Sequence, residues 1–451
     1  MSRNVSILGG GESGVGAAIL AKMQGFTVFL SDAGSISLDA LQTLGQHDVE
    51  YEQKNHDESR ILTSDEIIKS PGIPDDIPLL MKAREKGIPV ISEIEFASRY
   101  TDARLVCITG TNGKTTTTLL AYHLIKNAGI NAGLAGNVGT SFARQVAEHN
   151  FDTYVIELSS FQLDGAIQLK PDIAVLLNIT PDHLDRYDYQ FTNYIDSKFR
   201  ICRNMSADDK FIFFADDTVV KEEVTNRAIK PDVFPVSLST HLDKGAYLNK
   251  NYLVFQPEQG KNIQIPLDEL PLPGKHNMVN TMAAVLCAHF CGVDSTIIRN
   301  ELRTFNNAPH RMEKAGSIGK VDFINDSKAT NVDSVFYALE SFDRPLIWIA
   351  GGIDKGNDYQ KIESLVAEKV KAVVCLGKDN SKLRKAFENQ VRMEEATDMS
   401  TAVRKAFELA GDNHVVLLSP ACASFDLFQN YQDRGDQFKN AVINLKNELK
   451  V

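Results

Sequence analysis

A chain of 451 residues, 43% hydrophobic and 24% charged, has the composition of an ordinary globular protein and length enough for two to four domains at ~150 residues each. Its formal net charge of -11 argues against a general nucleic-acid binder, which carries a basic face, but leaves anionic small ligands open, because a few local lysines hold phosphates on an acidic protein. Six scattered cysteines form no C-x-x-C pair, so buried free thiols are expected rather than zinc, and the lack of a signal-peptide region or a run of ~20 apolar residues predicts a cytoplasmic protein without membrane insertion.

The first predicted strand is NVSILGGG, running into a glycine turn, and SGVGAAILAKMQG then reads as a helix ending near Gly25. TVFLSD, EIIKSPGI and IPVISEIE supply further strands, a βαβ rhythm that predicts a parallel sheet. A second unit begins near Ile94. ARLVCITG is a strand, GTNGKTT a loop, and TTTLLAYHLIKNAG a helix stopping at Gly129. TYVIELSS and IAVLLNIT are apolar strands with polar ends, where α/β folds place ligands. KFIFFADD and NYLVFQPE read as later strands, and PLPGKHNMVNTMAAVLCAHFCG as a loop leading into a long helix. A third unit starts around residue 308, with strands in VDFINDS, PLIWIAGG, KAVVCLG and HVVLLSPA. The expectation is an α/β protein of three domains, 1–93, 94–307 and 308–451: a Rossmann-like first domain, a central P-loop-type mononucleotide-binding domain and a Rossmann-like C-terminal domain.

Two glycine loops point to phosphate. Gly9 to Gly14 satisfies G-x-G-x-x-G between a strand and a helix, and Asp32 ends the next strand. Pattern alone divides evenly between a dinucleotide site and a tight turn whose helix N-terminus accepts another phosphate or none. The second loop, GTNGKTT, is two residues shorter than the strict P-loop, since Ile108 stands where the first glycine should be. Gly110 and Gly113 let the backbone approach an anion, with N–H groups turned inward as a nest. Lys114 adds a charge for the β- and γ-phosphates, Thr115 offers a hydroxyl to Mg²⁺, and Thr116 reaches phosphate from the first helical turn. Thr117 and Thr118 read as helix-surface or packing residues. Glu157 and His183 follow strand ends on the side of this loop and suit a metal-nucleotide centre, although such a pair is more often structural.

The conjunction GTNGKTT, ELSSFQL, NITPDHLDRY and SK at 197–198 resembles the Mur ligase family, the ATP-dependent amino-acid ligases of peptidoglycan synthesis, whose phosphate loop has this short form. GNVG at 136–139, PGKHN at 273–277, HRME at 310–313, NDSKATN at 325–331 and SPACASFD at 419–426 resemble the branch that adds D-glutamate to UDP-N-acetylmuramoyl-L-alanine. The resemblance spans nearly the whole chain. Sister ligases for L-alanine, a diamino acid or folate-linked glutamate are the nearest rivals, and NDSKATN argues against them. A nicotinamide oxidoreductase would leave the GKTT loop idle, and a nucleotide-dependent switch would leave the lysines of the third domain unexplained.

The resemblance implies that ATP phosphorylates the substrate carboxylate and that the amine of D-glutamate displaces phosphate from the acyl phosphate. It assigns catalysis to Lys114, His183 and Lys198. ATP falls to Gly110, Thr111, Asn112, Gly113, Lys114, Thr115, Thr116, Asn277, Asn280, Arg311 and Asp326. Two Mg²⁺ ions fall to Thr115, Glu157, His183 and a carbamylated Lys198. The UDP substrate falls to Ser13, Gly14, Asp32, Ser70, Gly72 and Asn137, so the first glycine loop is expected to hold UDP rather than NAD. D-Glutamate falls to Lys328, Thr330, Lys355, Ser424, Phe425 and Tyr431. Taken alone, Lys355 in GGIDKGND reads as a solvated loop lysine. The resemblance also implies a monomer whose domains close on their ligands and exclude water.

Overall fold

The structure, a computed structural model, describes residues 3–258 and 261–450. The chain divides into two compact units, one of Met1–Pro271 with Val279–Phe305, the other of Leu272–Met278 with Asn306–Val451.

The first unit holds two sheets. Strands β1 (Asn4–Leu8), β2 (Thr27–Asp32), β3 (Glu50–Gln53), β4 (Glu66–Lys69) and β5 (Val90–Ser92) form a parallel sheet in the order β3-β2-β1-β4-β5. The order reverses beside β1, and an open parallel sheet binds ligands at that crevice, outside the strands' carboxyl ends. The second sheet comprises β6 (Arg104–Thr109), β7 (Ala132–Gly136), β8 (Thr153–Glu157), β9 (Ile173–Leu176), β10 (Lys210–Phe214), β11 (Asp232–Ser237), β12 (Gly245–Asn249), β13 (Tyr252–Glu258) and β14 (Lys261–Pro266). Its order is β14-β13-β12-β11-β10-β9-β6-β8-β7, parallel from β7 to β12 and finished by the antiparallel β13 and β14. Here the order reverses beside β6, so the phosphate-type loop after β6 lies between the ends of β8 and β9.

The second unit is built on β15 (Glu313–Ile318), β16 (Val321–Asn325), β17 (Leu346–Ala350), β18 (Val370–Leu376), β19 (Arg392–Ala396) and β20 (Val415–Leu418), in the order β15-β16-β20-β17-β18-β19. Only the β15–β16 pair is antiparallel. The central strands are buried on both faces, so LVCIT, VVLL and LIWIA read as continuous apolar runs rather than alternating ones. Trp348, fully buried, still satisfies its indole by donating to the Ser419 carbonyl at 2.7 Å.

All six cysteines are free and buried, as the sequence predicts. No helix among the described residues is long and apolar enough to cross a membrane.

Candidate active site

The first glycine loop is shaped by close approach. A Cβ on Gly14 would fall 1.9 Å from the Gly9 carbonyl, and one on Gly9, at φ +102°, would meet the Ser70 hydroxyl at 2.4 Å. Only glycine fits either position. Asp32, at the end of β2, accepts from the Gly10 and Gly34 amides, both at 2.6 Å, and so braces the turn. Ser70, at the end of β4, keeps a buried hydroxyl that has no hydrogen-bond partner, an unusual cost inside a protein and one a ligand can relieve. Ser13 and exposed Gly72 flank the same crevice.

Arg186, which the sequence reading passed over, ties this loop to the second sheet. Its guanidinium donates to the carbonyls of Pro71 and Gly72 at 3.4 Å and of Ile73 at 3.1 Å. Its other face lies 4.5 Å from the Phe161 ring centroid, and Phe161 in turn meets the His183 ring edge-on at 5.3 Å. The proposed UDP loop and the loop carrying His183 are thus joined through one side chain.

At the second loop, Gly110 and Gly113 take φ of +154° and +85°. Asn178, just beyond β9, accepts from the Asn112 amide at 2.8 Å and donates to its carbonyl at 3.0 Å, while its own carbonyl accepts from the Thr111 amide at 2.9 Å. The nest expected from the sequence is therefore narrower, because the Thr111 and Asn112 amides are committed to Asn178. Lys114 folds back onto the Gly110 and Thr111 carbonyls at 2.8 and 2.7 Å. Thr115 is half-buried and Thr116 buried in the first turn of the helix Lys114–Asn127. Thr117 and Thr118 are wholly buried packing residues, and the Thr117 hydroxyl donates to Asn280 at 3.2 Å.

Lys198 lies beneath this loop on the helix Phe191–Phe199. It is 1% exposed, donates to the Gly110 carbonyl at 2.8 Å and sits 4.6 Å from the Tyr194 ring centroid. Tyr194 completes the floor through a 3.1 Å contact with the Thr111 hydroxyl. No carboxylate among the described residues lies within ion-pair distance of Lys198. Burial first, then the nearby Lys114 charge, push its ammonium well below the usual lysine range. Glu157, also 1% exposed, accepts from the Asn137 amide group at 2.7 Å through Oε1, whereas buried Oε2 has no partner. Asn137 is itself exposed. His183 is exposed and takes a left-handed φ of +52°, a conformation costly for a non-glycine residue and concentrated at functional sites. Among the described residues no three His, Cys, Asp or Glu gather as a ready-made metal cluster. A Mg²⁺ site does not require one, since that ion takes one or two carboxylates and fills its shell with water and substrate phosphate oxygens.

In the second unit, buried Asn277 donates to the Pro273 carbonyl at 2.7 Å and half-buried Arg311 accepts from Asn307 at 3.4 Å through its carbonyl. Asp326, just beyond β16, accepts from the Ser419 hydroxyl at 2.9 Å and the Met312 amide at 3.3 Å. Burial pushes its carboxyl up to about 7.

The loops after β16, β17 and β20 meet at one end of this sheet. Ala421 donates to the Ala329 carbonyl at 3.0 Å, and Ile353 and Ala423 exchange backbone bonds of 2.9 and 3.1 Å. These loops carry half-buried Lys328 and Thr330, exposed Lys355, and buried Ser424 beside Phe425, which is 70% exposed. Lys328 lies 3.9 Å from the Tyr431 ring centroid, so these two predicted residues are in contact. Arg434, absent from the sequence reading, bonds to Ser327 and Cys422 beneath them. An arginine in a first helical turn after an aromatic residue was the only local signal.

Three family models match the chain: the MurD-like N-terminal domain of Mur ligases over residues 3–92, the Mur ligase middle domain over 108–288 and the Mur ligase glutamate ligase domain over 310–422. A curated relative from Christiangramia forsetii, named UDP-N-acetylmuramoylalanine–D-glutamate ligase, is 50% identical over 446 residues, covering 99% of this chain and 100% of that protein. The protein of the same name from Bacteroides fragilis is 49% identical over 442 residues, covering 98% and 99%. The crystal structure of a UDP-N-acetylmuramate-alanine ligase from Thermotoga maritima superposes with a TM-score of 0.61 over 98% of this chain and all of that one, at 18% identity, a likeness of fold. With three domain models matched in order and half its residues shared along the full length of a curated relative, the chain belongs to the Mur ligase family.

Proposed function

We propose that the chain is an ATP-dependent ligase that joins D-glutamate to UDP-N-acetylmuramoyl-L-alanine through an amide bond, in the cytoplasmic synthesis of peptidoglycan precursor. The observation that carries this reading is half-identity, end to end, with enzymes named for that reaction. An oxygen of the alanine carboxylate attacks the γ-phosphorus and ADP leaves. The neutral amine of D-glutamate then attacks the acyl carbon, and the tetrahedral intermediate expels phosphate to leave the amide.

Phosphoryl transfer needs positioning and charge neutralisation more than covalent chemistry. Gly110 to Thr116 would cradle the phosphates, Lys114 would supply positive charge, and Asn280 would contact the base. Asn277, Arg311 and Asp326 are the nucleotide-binding positions of the second unit. Two Mg²⁺ ions, when bound, would offset the charge of the phosphates and of the incoming carboxylate. The protein's fit to them rests on the unpartnered Glu157 Oε2 and on Lys198. A buried lysine held as the free amine can capture CO₂ and become an anionic carbamate, so a residue that would repel a cation turns into its ligand. Thr115 and His183 would complete the set. Ser13, Gly14, Asp32, Ser70, Gly72 and Asn137 would hold the UDP substrate, and Lys328, Thr330, Lys355, Ser424, Phe425 and Tyr431 would hold D-glutamate.

We take the domains as 1–93, 94–307 and 308–451 and the working unit as a monomer. Six free thiols agree with a reducing compartment. The deciding experiment is phosphate release from ATP and Mg²⁺ with UDP-N-acetylmuramoyl-L-alanine, with and without D-glutamate, and with L-glutamate, L-lysine and diaminopimelate in parallel. Release that requires both the UDP substrate and D-glutamate is expected. Release with another amino acid in its place would overturn the substrate, and release indifferent to both would overturn the ligase.

A further inference from the structure

Arg434 is 1% exposed, on the first turn of the helix Tyr431–Leu449, yet no carboxylate among the described residues lies within ion-pair distance of it. Its bonds are to neutral oxygens. Nε donates to the Ser327 hydroxyl at 3.0 Å, Nη2 to the Ser327 carbonyl at 2.8 Å and Nη1 to the Cys422 carbonyl at 3.1 Å. Burial lowers the guanidinium only to about 10, so it stays charged at neutral pH. The Asp426 carboxylate, beyond ion-pair distance, and the three accepting oxygens together offset part of the cost of burying this charge.

The three bonds link the segments that matter for the amino acid. Ser327 precedes Lys328, and its hydroxyl also donates to the Tyr431 carbonyl at 2.8 Å. Cys422 stands two residues before Ser424. Asn357 closes the third side by donating to the Ala421 carbonyl at 3.1 Å, which brings in the loop of Lys355. One guanidinium therefore sits where the segments bearing Lys328, Ser424 and Tyr431 converge. Its planar fork suits that task in a way that an ammonium does not.

We propose that Arg434 is the positioning residue of the amino-acid pocket, fixing these segments in one arrangement. The proposal rests on the ligase reading.

The test is steady-state kinetics on the full-length enzyme with Arg434→Met, Arg434→Lys and Ser327→Ala, reading kcat and the KM of each of the three substrates. Arg434→Met is expected to raise the KM for D-glutamate at least about tenfold, equivalent to roughly 1.4 kcal/mol, with the KM for ATP and for the UDP substrate within about twofold. Arg434→Lys should recover part of that loss, because an ammonium can still donate to some of these oxygens but cannot span all three as the fork does. Ser327→Ala, which leaves the guanidinium in place, should raise the KM for D-glutamate several-fold. It keeps the question open to refutation if Arg434→Met does not fold. An unchanged KM for D-glutamate in either folded variant, or an equal rise in all three KM values, overturns the proposal. An unmodified enzyme that ignores D-glutamate and accepts another amino acid overturns the substrate reading instead, and Arg434 is then judged on the KM for that amino acid.

Discussion

Gly113→Ala tests whether the phosphate loop works because of its backbone. At φ +85°, an L-residue is disfavoured by about 1–2 kcal/mol. The new Cβ would also lie 2.4 Å from Asn280 Oδ1 and 3.2 Å from Leu177 Cδ1, so Asn280 must move. That movement breaks the Thr117–Asn280 hydrogen bond, which contributes about 1 kcal/mol. The sum is about 2–3 kcal/mol; if it falls on the loop, affinity for ATP drops by roughly 30- to 150-fold. The assay is calorimetric titration of ATP with Mg²⁺, paired with thermal unfolding. Gly129→Ala is the control: it lies just beyond the other end of the same helix, at φ +86°, with nothing within 4 Å of its Cβ. It carries the same backbone strain without the collision and should leave ATP affinity unchanged. If Gly113→Ala binds ATP as tightly as Gly129→Ala, the glycine is not there to admit a phosphate.

Two further outcomes follow from the buried ionisable groups. Protein equilibrated with carbon-13 bicarbonate should show a carbamate resonance that vanishes in Lys198→Met; no such resonance in the unmodified protein would sink the carbamate. Glu93 is buried, and burial raises its carboxyl from the ordinary 4.5 to about 7. The folded state then keeps a proton that the unfolded state gives up, so stability falls as pH rises from about 4.5 to about 7 and is level above. Glu93→Gln should flatten this slope in urea unfolding; an identical slope in the variant would refute the assignment.

How much of this was legible depended on burial. The strands before the GKTT loop and before Glu157 are buried on both faces and announced themselves as apolar runs, which is why Lys114 and Glu157 could be set at strand ends from the residues alone, whereas Asp326 and Ser424 came only from the resemblance to Mur ligases. Strands β3 and β19 escaped notice because EYEQ and RMEEA are edge strands whose polar side chains face water. Strand β11 was hidden by Pro235, a residue that argues against a strand in an interior position. The supporting residues escaped for a different reason. Asn178, Arg186 and Arg434 act mainly on backbone carbonyls and amides, which leave no signature in the sequence, and Arg434 lies 107 positions from Ser327. Motifs reveal the groups that touch a ligand, while the groups that hold those in place become visible only once the chain is folded.

The six buried thiols give the molecule an intrinsic clock. Burial pushes Cys202 and Cys291 up to about 11 and Cys375 up to about 12, and raises Cys107, Cys287 and Cys422 as well. An alkylating reagent attacks the thiolate, so at neutral pH it reacts only with molecules that have opened. Cys107, Cys202, Cys287 and Cys291 belong to the first unit, and Cys375 and Cys422 to the second. Peptide-resolved labelling rates therefore time the opening of each unit separately, with no foreign probe attached, and a ligand that steadies one unit slows the labelling of that unit's own cysteines.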